Sequence, residues 1–333
     1  SETMQMDKKK LKTLARKVCN TAYLILFQKK YENKISNKNE ECGKENKKST
    51  YYIISCEHMP MQGLFGYVSL VLPMVRYALQ HNLIPIVDMK NYANSYLEEG
   101  EIGKINAWDL FFQPLAQKKI DQVYGEGNYI IGNHYTDIDW NDRPNLRGYY
   151  WSRAYSTWKE LYRKYIVLSE ESREYCTKEY RELLCGREQE TLGVLIRGTD
   201  IKKCKGHAIQ PTVQQTAELI RKVLRQHRQY KYIYLATEER ANEVYLKKEF
   251  PSKIIVNTRT YYDDTDYSRG LSYVHMEGEH DRYHRGLQYL SSIMLLSKCG
   301  GLISGQCEGG YAAFYLNEGK YQYCFFWELG NIQ

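Results

Sequence analysis

A chain of 333 residues with 43% hydrophobic content can bury one large core or two ordinary ones. The formal net charge of +7 lies wholly in residues 1–50, where 13 Lys and Arg face 6 Asp and Glu; the rest carries 34 of each, which excludes a broad nucleic-acid surface on the folded body. Nine cysteines with no CxxC pair, no metal-like spacing and no signal peptide ahead of them point to reduced thiols in a cytoplasm, and no apolar run approaches the roughly 20 residues that cross a bilayer.

In chain order, Leu11, Leu14, Ala15, Val18, Ala22, Ile25 and Leu26 recur at helical spacing among lysines and arginines. Such a basic amphipathic helix either docks on the protein's own body or lies peripherally on the inner face of the plasma membrane. Residues 33–50 lack periodicity and read as a linker. The expected organisation is therefore 1–50 as helix and linker, 51–190 as a first domain and 191–333 as a second.

From Tyr51 the strand YYIISC, a loop holding Glu57, Gly63 and Gly66, a helix from about Tyr67 to His81 and the strand IPIVDM form a βαβ unit. The two glycines leave backbone N–H groups at the helix start open to a ligand, although the full dinucleotide fingerprint is absent. Residues 91–150, with a strand at Tyr129–Gly132, are rich in tyrosine, tryptophan and carboxylates. This composition suits stacking on sugars, and equally an ordinary packed loop. Helices at about 152–168 and 170–187 follow, with a break at Ser169.

The apolar run Leu192–Ile196 then ends abruptly in Arg197, Gly198, Thr199 and Asp200. It reads as a strand buried on both faces of a parallel sheet, with a cation where ligands bind in such sheets. Thr212 to Gln215 forms a capping box behind Pro211. The strand YIYLA, a helix from Glu238, the strand KIIVN, a long loop, a helix to Lys298, the strand GLIS and a helix from about Gly309 complete a doubly wound α/β sheet. Arg197–His207, Thr237–Glu239, Asn257 onward and Ser304–Gly310 each follow a strand, so the topology gathers them at one crevice.

Each motif has a plainer reading. Thr237 with Glu238 and Glu239 suits a helix N-cap with acids in its first turn. His280 and His284 have the i,i+4 spacing of a metal pair but lack a third ligand, and no metal is expected. Ser304, Gln306 and Cys307 lie in a small-residue turn of the kind that binds phosphate through backbone N–H groups.

GVLIRGTD, YIYLATEE, HDRYHRG and YLSSIMLLSKCGGLISGQCEGGYAAFYL, in this order, resemble the fucosyltransferases of the α1,6 and protein-O-fucosyl superfamily, including the nodulation enzymes. The likeness runs over about 190–327. It implies a GT-B-like pair of Rossmann-like domains facing a cleft, GDP-fucose as donor substrate with no cofactor or metal, and inversion at the sugar carbon. The acceptor implied is an oligosaccharide or lipid-linked glycan, built into a bacterial surface polysaccharide.

By this resemblance Arg197 contacts the donor diphosphate and Asp200 orients it. Thr237, Glu238 and Glu239 stand at the guanosine-contacting position. Arg285 with Gly286 matches an Arg-Gly before the penultimate helix, Ser292 stands on that helix, Asp281 is a further donor-binding candidate, and Ser304, Gln306 and Cys307 match the diphosphate turn. Three positions depart from the pattern: Leu195 replaces a histidine, Gly198 a second arginine and Ser292 an aspartate. His207 is the candidate general base, against a plain solvated loop histidine; Glu57 or the donor phosphate are alternatives. A transferase for another nucleotide-linked sugar and an inactive nucleotide-sugar or glycan-binding protein remain the competing functions.

Overall fold

The strand Tyr51–Ser55 (β1) sends Tyr52 and Ile54 to one face and Tyr51 and Ile53 to the other, and all four are buried. A strand covered on both faces belongs inside a layered α/β arrangement. The computed structural model describes residues 49–146, 151–198, 206–262, 271, 274, 278 and 280–333, with no side chains described for 151–154. Residues 49–333 form a single unit. The amphipathic segment 8–30, nearly all of the linker, and Asp200 lie outside the described residues.

After β1 come a helix Leu64–Gln80 (α1), a strand Ile84–Asp88 (β2), two short helices Ala107–Phe111 (α2) and Ile120–Glu126 (α3), and a strand Tyr129–Ile131 (β3). Helices Trp151–Tyr165 (α4) and Glu170–Leu183 (α5) lead to the strand Thr191–Ile196 (β4). Helix Val213–Gln226 (α6), strand Tyr232–Thr237 (β5), helix Arg240–Glu249 (α7) and strand Ile254–Ile255 (β6) follow. The chain ends with helix Asp281–Leu296 (α8), strand Gly301–Ser304 (β7), helix Glu308–Leu316 (α9) and strand Tyr323–Phe326 (β8).

The described strands form two wholly parallel sheets, one of order β2-β1-β3 and one of order β6-β5-β4-β7-β8. The chain runs outward from β4 to β6 and then crosses back to β7, so the order reverses beside β4. A crevice opens at such a reversal, at the carboxyl ends of the strands. β4 is buried at all six residues, as its apolar run requires.

One buried cluster joins the two sheets: Tyr52 and Ile54 of β1, and Leu195, Tyr234 and Leu302 of the second sheet, share it with Phe65, Trp158, Leu290 and Tyr315 of the helices. α1 accordingly packs on α8 and α9 from the second half of the chain. The outer face of the second sheet packs Leu192, Val194 and Ile196 under Ala217, Ile220 and Val223 of α6. That of the first packs Tyr51 and Ile53 against Ile120 and Val123 of α3.

Several boundaries differ from the sequence reading. α1 starts at Leu64, with Gly63 as its N-cap, and α7 starts at Arg240, because Thr237 completes β5 and Glu239 takes the cap position. KIIVN shrinks to the two paired residues of β6. β8, α2 and α3 are additional elements. The breaks at Ser169 and Thr212 are as expected: the Ser169 hydroxyl accepts from Ser172 N at 3.2 Å, and the Thr212 hydroxyl from Gln215 N at 3.1 Å.

Candidate active site

Arg197 emerges at the end of β4 and is fixed at once. Its Nε lies 3.2 Å from the buried Glu238 carboxylate, and its guanidinium sits 5.7 Å from the Tyr289 ring centroid. The same Glu238 oxygen accepts Gly198 N at 2.8 Å, so one carboxylate from the end of β5 clamps the end of β4. Glu239 turns the other way. Its carboxylate accepts Asn242 Nδ2 at 2.9 Å and covers Gly198 so closely that a Cβ there would overlap it. A side chain at 198 would push that carboxylate aside.

Arg197 opens into a cavity of about 140 Å³ lined also by Gly63, Glu238, Arg259, Tyr262, Arg282, Arg285 and Tyr289. Four guanidiniums face this space. Arg285 donates through Nε to both Asp281 oxygens at 3.0 Å, and through Nη2 to the Val274 carbonyl at 2.6 Å. Arg282 lies 3.6 Å from Glu98 and reaches the Asn94 carbonyl at 3.4 Å. Arg259 differs from these in having no carboxylate beside it among the described residues, and its buried Nε and Nη1 have no hydrogen-bond partner. An unmade hydrogen bond at a buried polar group costs about 1–3 kcal/mol, and more when the group is charged.

The start of α1 borders the same cavity through Gly63. Its N-cap residue supplies no side-chain cap and its first turn holds no acid, so the helix dipole there favours an anion, although Leu64 N–H is already taken by the Tyr96 hydroxyl. Gly286, after Arg285, has another cause. A Cβ there would come within 2.6 Å of Phe111 Cζ, so the glycine lets α8 approach α2 and sets Arg285 at the cavity wall.

Tyr262 lies between two of these cations. Its hydroxyl accepts Arg285 Nη1 at 3.3 Å; burial raises the phenol's pKa, and Arg285 and Arg259 oppose the rise.

Among the residues singled out from sequence, Arg197, Glu238, Arg285 and Gly63 line the cavity. Thr237 is fully buried beneath it, and its hydroxyl accepts Asn242 Nδ2 at 3.1 Å. Ser292 is buried in α8, its hydroxyl 2.9 Å from the Gln288 carbonyl and 3.2 Å from Asn257 Oδ1. Ser304, Gln306 and Cys307 follow β7 but do not line this cavity. The Ser304 hydroxyl donates to the Gly305 carbonyl at 2.8 Å, Gln306 accepts from the Tyr311 hydroxyl, and burial pushes the Cys307 thiol up.

His207 is exposed, and its carbonyl accepts Ile332 N at 2.9 Å near the chain end. Glu57 is exposed after β1, and Gly66 lies one turn inside α1. His280 caps α8 with φ 54° and sets Nδ1 3.0 Å from Glu101, and among the described residues no group of three or more His, Cys, Asp or Glu gathers as metal ligands.

Sequence reading passed over Arg259, Tyr262 and Tyr289. The available signal was position: Arg259 follows β6 at the same sheet edge as Arg197. At the matching edge of the first sheet, the His134 ring lies 5.8 Å from His58 and 4.0 Å from Tyr135. Tyr135 and Trp140 stand exposed there at 68% and 42%.

No family model and no curated protein matches the chain. The solved structures it resembles include fucosyltransferases. An α-1,6-fucosyltransferase NodZ soaked with GDP-fucose is 14% identical with a TM-score of 0.48, over 80% of this chain and 93% of that one. POFUT1 in its apo form is 11% identical with a TM-score of 0.45, over 85% and 99%. FUT1 of Arabidopsis thaliana in complex with GDP is 11% identical with a TM-score of 0.44, over 88% and 73%. At such identities, with every TM-score below 0.5, the likeness carries no argument about what this chain binds. Its chemistry rests on its own residues.

Proposed function

We propose that the chain is an inverting glycosyltransferase that moves fucose from GDP-fucose onto a glycan hydroxyl. The observation that supports this best is the arginine-lined cavity at the crevice end of β4, bordered by the start of α1. In this reaction the acceptor oxygen attacks the anomeric carbon from the face opposite the diphosphate. The new C–O bond forms as the bond from that carbon to the diphosphate oxygen breaks. The electron pair leaves on that oxygen, and the acceptor proton passes to a base. Negative charge grows on the phosphates, where a fixed guanidinium such as Arg197 stabilises it most.

Residues 191–333 hold the donor in this proposal and 51–190 the acceptor, for which the exposed Tyr135 and Trp140 rings offer stacking faces. The base is His207, Glu57 or the donor phosphate itself. The choice of GDP-fucose, and of a bacterial surface glycan as product, follows from the order of the sequence motifs. The Glu239 carboxylate over Gly198 favours a second reading, a transferase for another nucleotide-linked sugar, because a carboxylate stands where a second cation would help hold a GDP-sugar.

Calorimetric titration with GDP, GDP-fucose and UDP-sugars, together with a transfer assay, tests the proposal. Arg197→Ala is expected to lower kcat/KM by about 10²–10³-fold with the far-UV circular dichroism of the folded protein retained, and to melt lower than wild type because the buried Glu238 carboxylate loses its cation. A preference for UDP-sugars would overturn the donor, and wild-type rates in the variant would remove Arg197 from the reaction.

A further inference from the structure

We infer that Arg259 is a donor-anchoring residue, its guanidinium taking the diphosphate anion as the second cation beside Arg197. The inference rests on the reading of the cavity as a diphosphate site. Four arginines line the cavity, and three are neutralised by separate carboxylates: Arg197 by Glu238, Arg282 by Glu98 and Arg285 by Asp281. Arg259 alone among them, within the described residues, has neither a carboxylate nor a hydrogen-bond acceptor for its buried Nε and Nη1. A guanidinium without a carboxylate of its own is the group in this set left to meet phosphate oxygens.

The segment carrying Arg259 is pinned on both sides. Thr258 N donates to the buried Glu179 at 3.0 Å, Asn257 Nδ2 reaches the same carboxylate at 3.2 Å, and Thr260 N donates to Gln288 Oε1 at 2.7 Å. An unpaired cation on so fixed a backbone is preorganised for a partner from outside. The cavity's 140 Å³ falls below the roughly 300–1,000 Å³ of pockets that enclose a whole small ligand, so it suits one charged fragment of a donor. With Gly198 covered by Glu239, the missing cation at the end of β4 is supplied from the end of β6.

The test is calorimetry of wild type, Arg259→Met and Arg259→Lys with pyrophosphate, GDP and guanosine, alongside ligand-free melting. Arg259→Met is expected to weaken pyrophosphate and GDP by about 10- to 100-fold, to leave guanosine unchanged, and to melt no lower than wild type, because it removes an unpaired buried charge. Arg259→Lys keeps the charge without the guanidinium and is expected to fall between the two. Wild type that ignores pyrophosphate, an Arg259→Met variant that binds it with unchanged affinity, or variants that both melt well below wild type would overturn the inference. If Arg259→Met loses pyrophosphate while wild type transfers no fucose, the anion site stands and the sugar assignment falls.

Discussion

Gly198 and Glu239 make the sharpest case at the residue scale. A side chain at 198 must displace the Glu239 carboxylate, which also holds Asn242 at the start of α7. Because the atoms in the way are the far end of a flexible side chain, Gly198→Ala is expected to destabilise by no more than about 1 kcal/mol, the low end of the overpacking range, and to reduce transfer by shifting the backbone that Glu238 clamps. Adding Glu239→Ala should restore most of that stability, since the clash goes with the carboxylate. A double-mutant cycle on denaturation midpoints measures the coupling, and simple additivity would mean that the two residues do not compete for space. Arg197 was legible in the sequence because an apolar strand ending in a cation is a pattern. Arg259 was not, because its meaning lies in partners it lacks, and no sequence displays those.

Among the elements, α6 was the most legible: Thr212 and Gln215 exchange the two hydrogen bonds of a capping box, as their spacing predicts. Thr212→Ala is expected to cost about 1 kcal/mol, read as a shift of the urea midpoint. β4 was equally clear, since six buried residues in a row leave little else for the segment to be. β8 escaped notice because an edge strand is only half covered, and Tyr323–Phe326 shows neither clean alternation nor full burial. α2 and α3 escaped because five and seven residues are too few to show a helical period. The crevice at β4 depends on the crossing from β6 to β7, and that crossing is a property of strand order which residue patterns only suggest.

For the whole molecule, the governing feature is the buried cluster that runs from β1 through α1, α4, α8 and α9 into β4 and β5. Trp158, 1% exposed within it, is not one of the residues lining the cavity. Trp158→Ala is expected to cost about 3–5 kcal/mol, and chemical unfolding followed by tryptophan fluorescence and by far-UV circular dichroism should give coincident curves. Two separated transitions would show that the sheets hold together independently. No helix among the described residues is long and apolar enough to cross a membrane.

That shared cluster also constrains how two substrates sense one another. A hinge swinging the first sheet against the second would have to pull apart Tyr52, Phe65, Leu195 and Tyr315, which are packed in one body. If the proposed division into donor and acceptor sides holds, occupancy of the first has no rigid-body lever with which to reshape the second. Synergy between donor and acceptor would have to arise where the two molecules touch, and a donor analogue lacking its sugar should leave acceptor affinity unaltered.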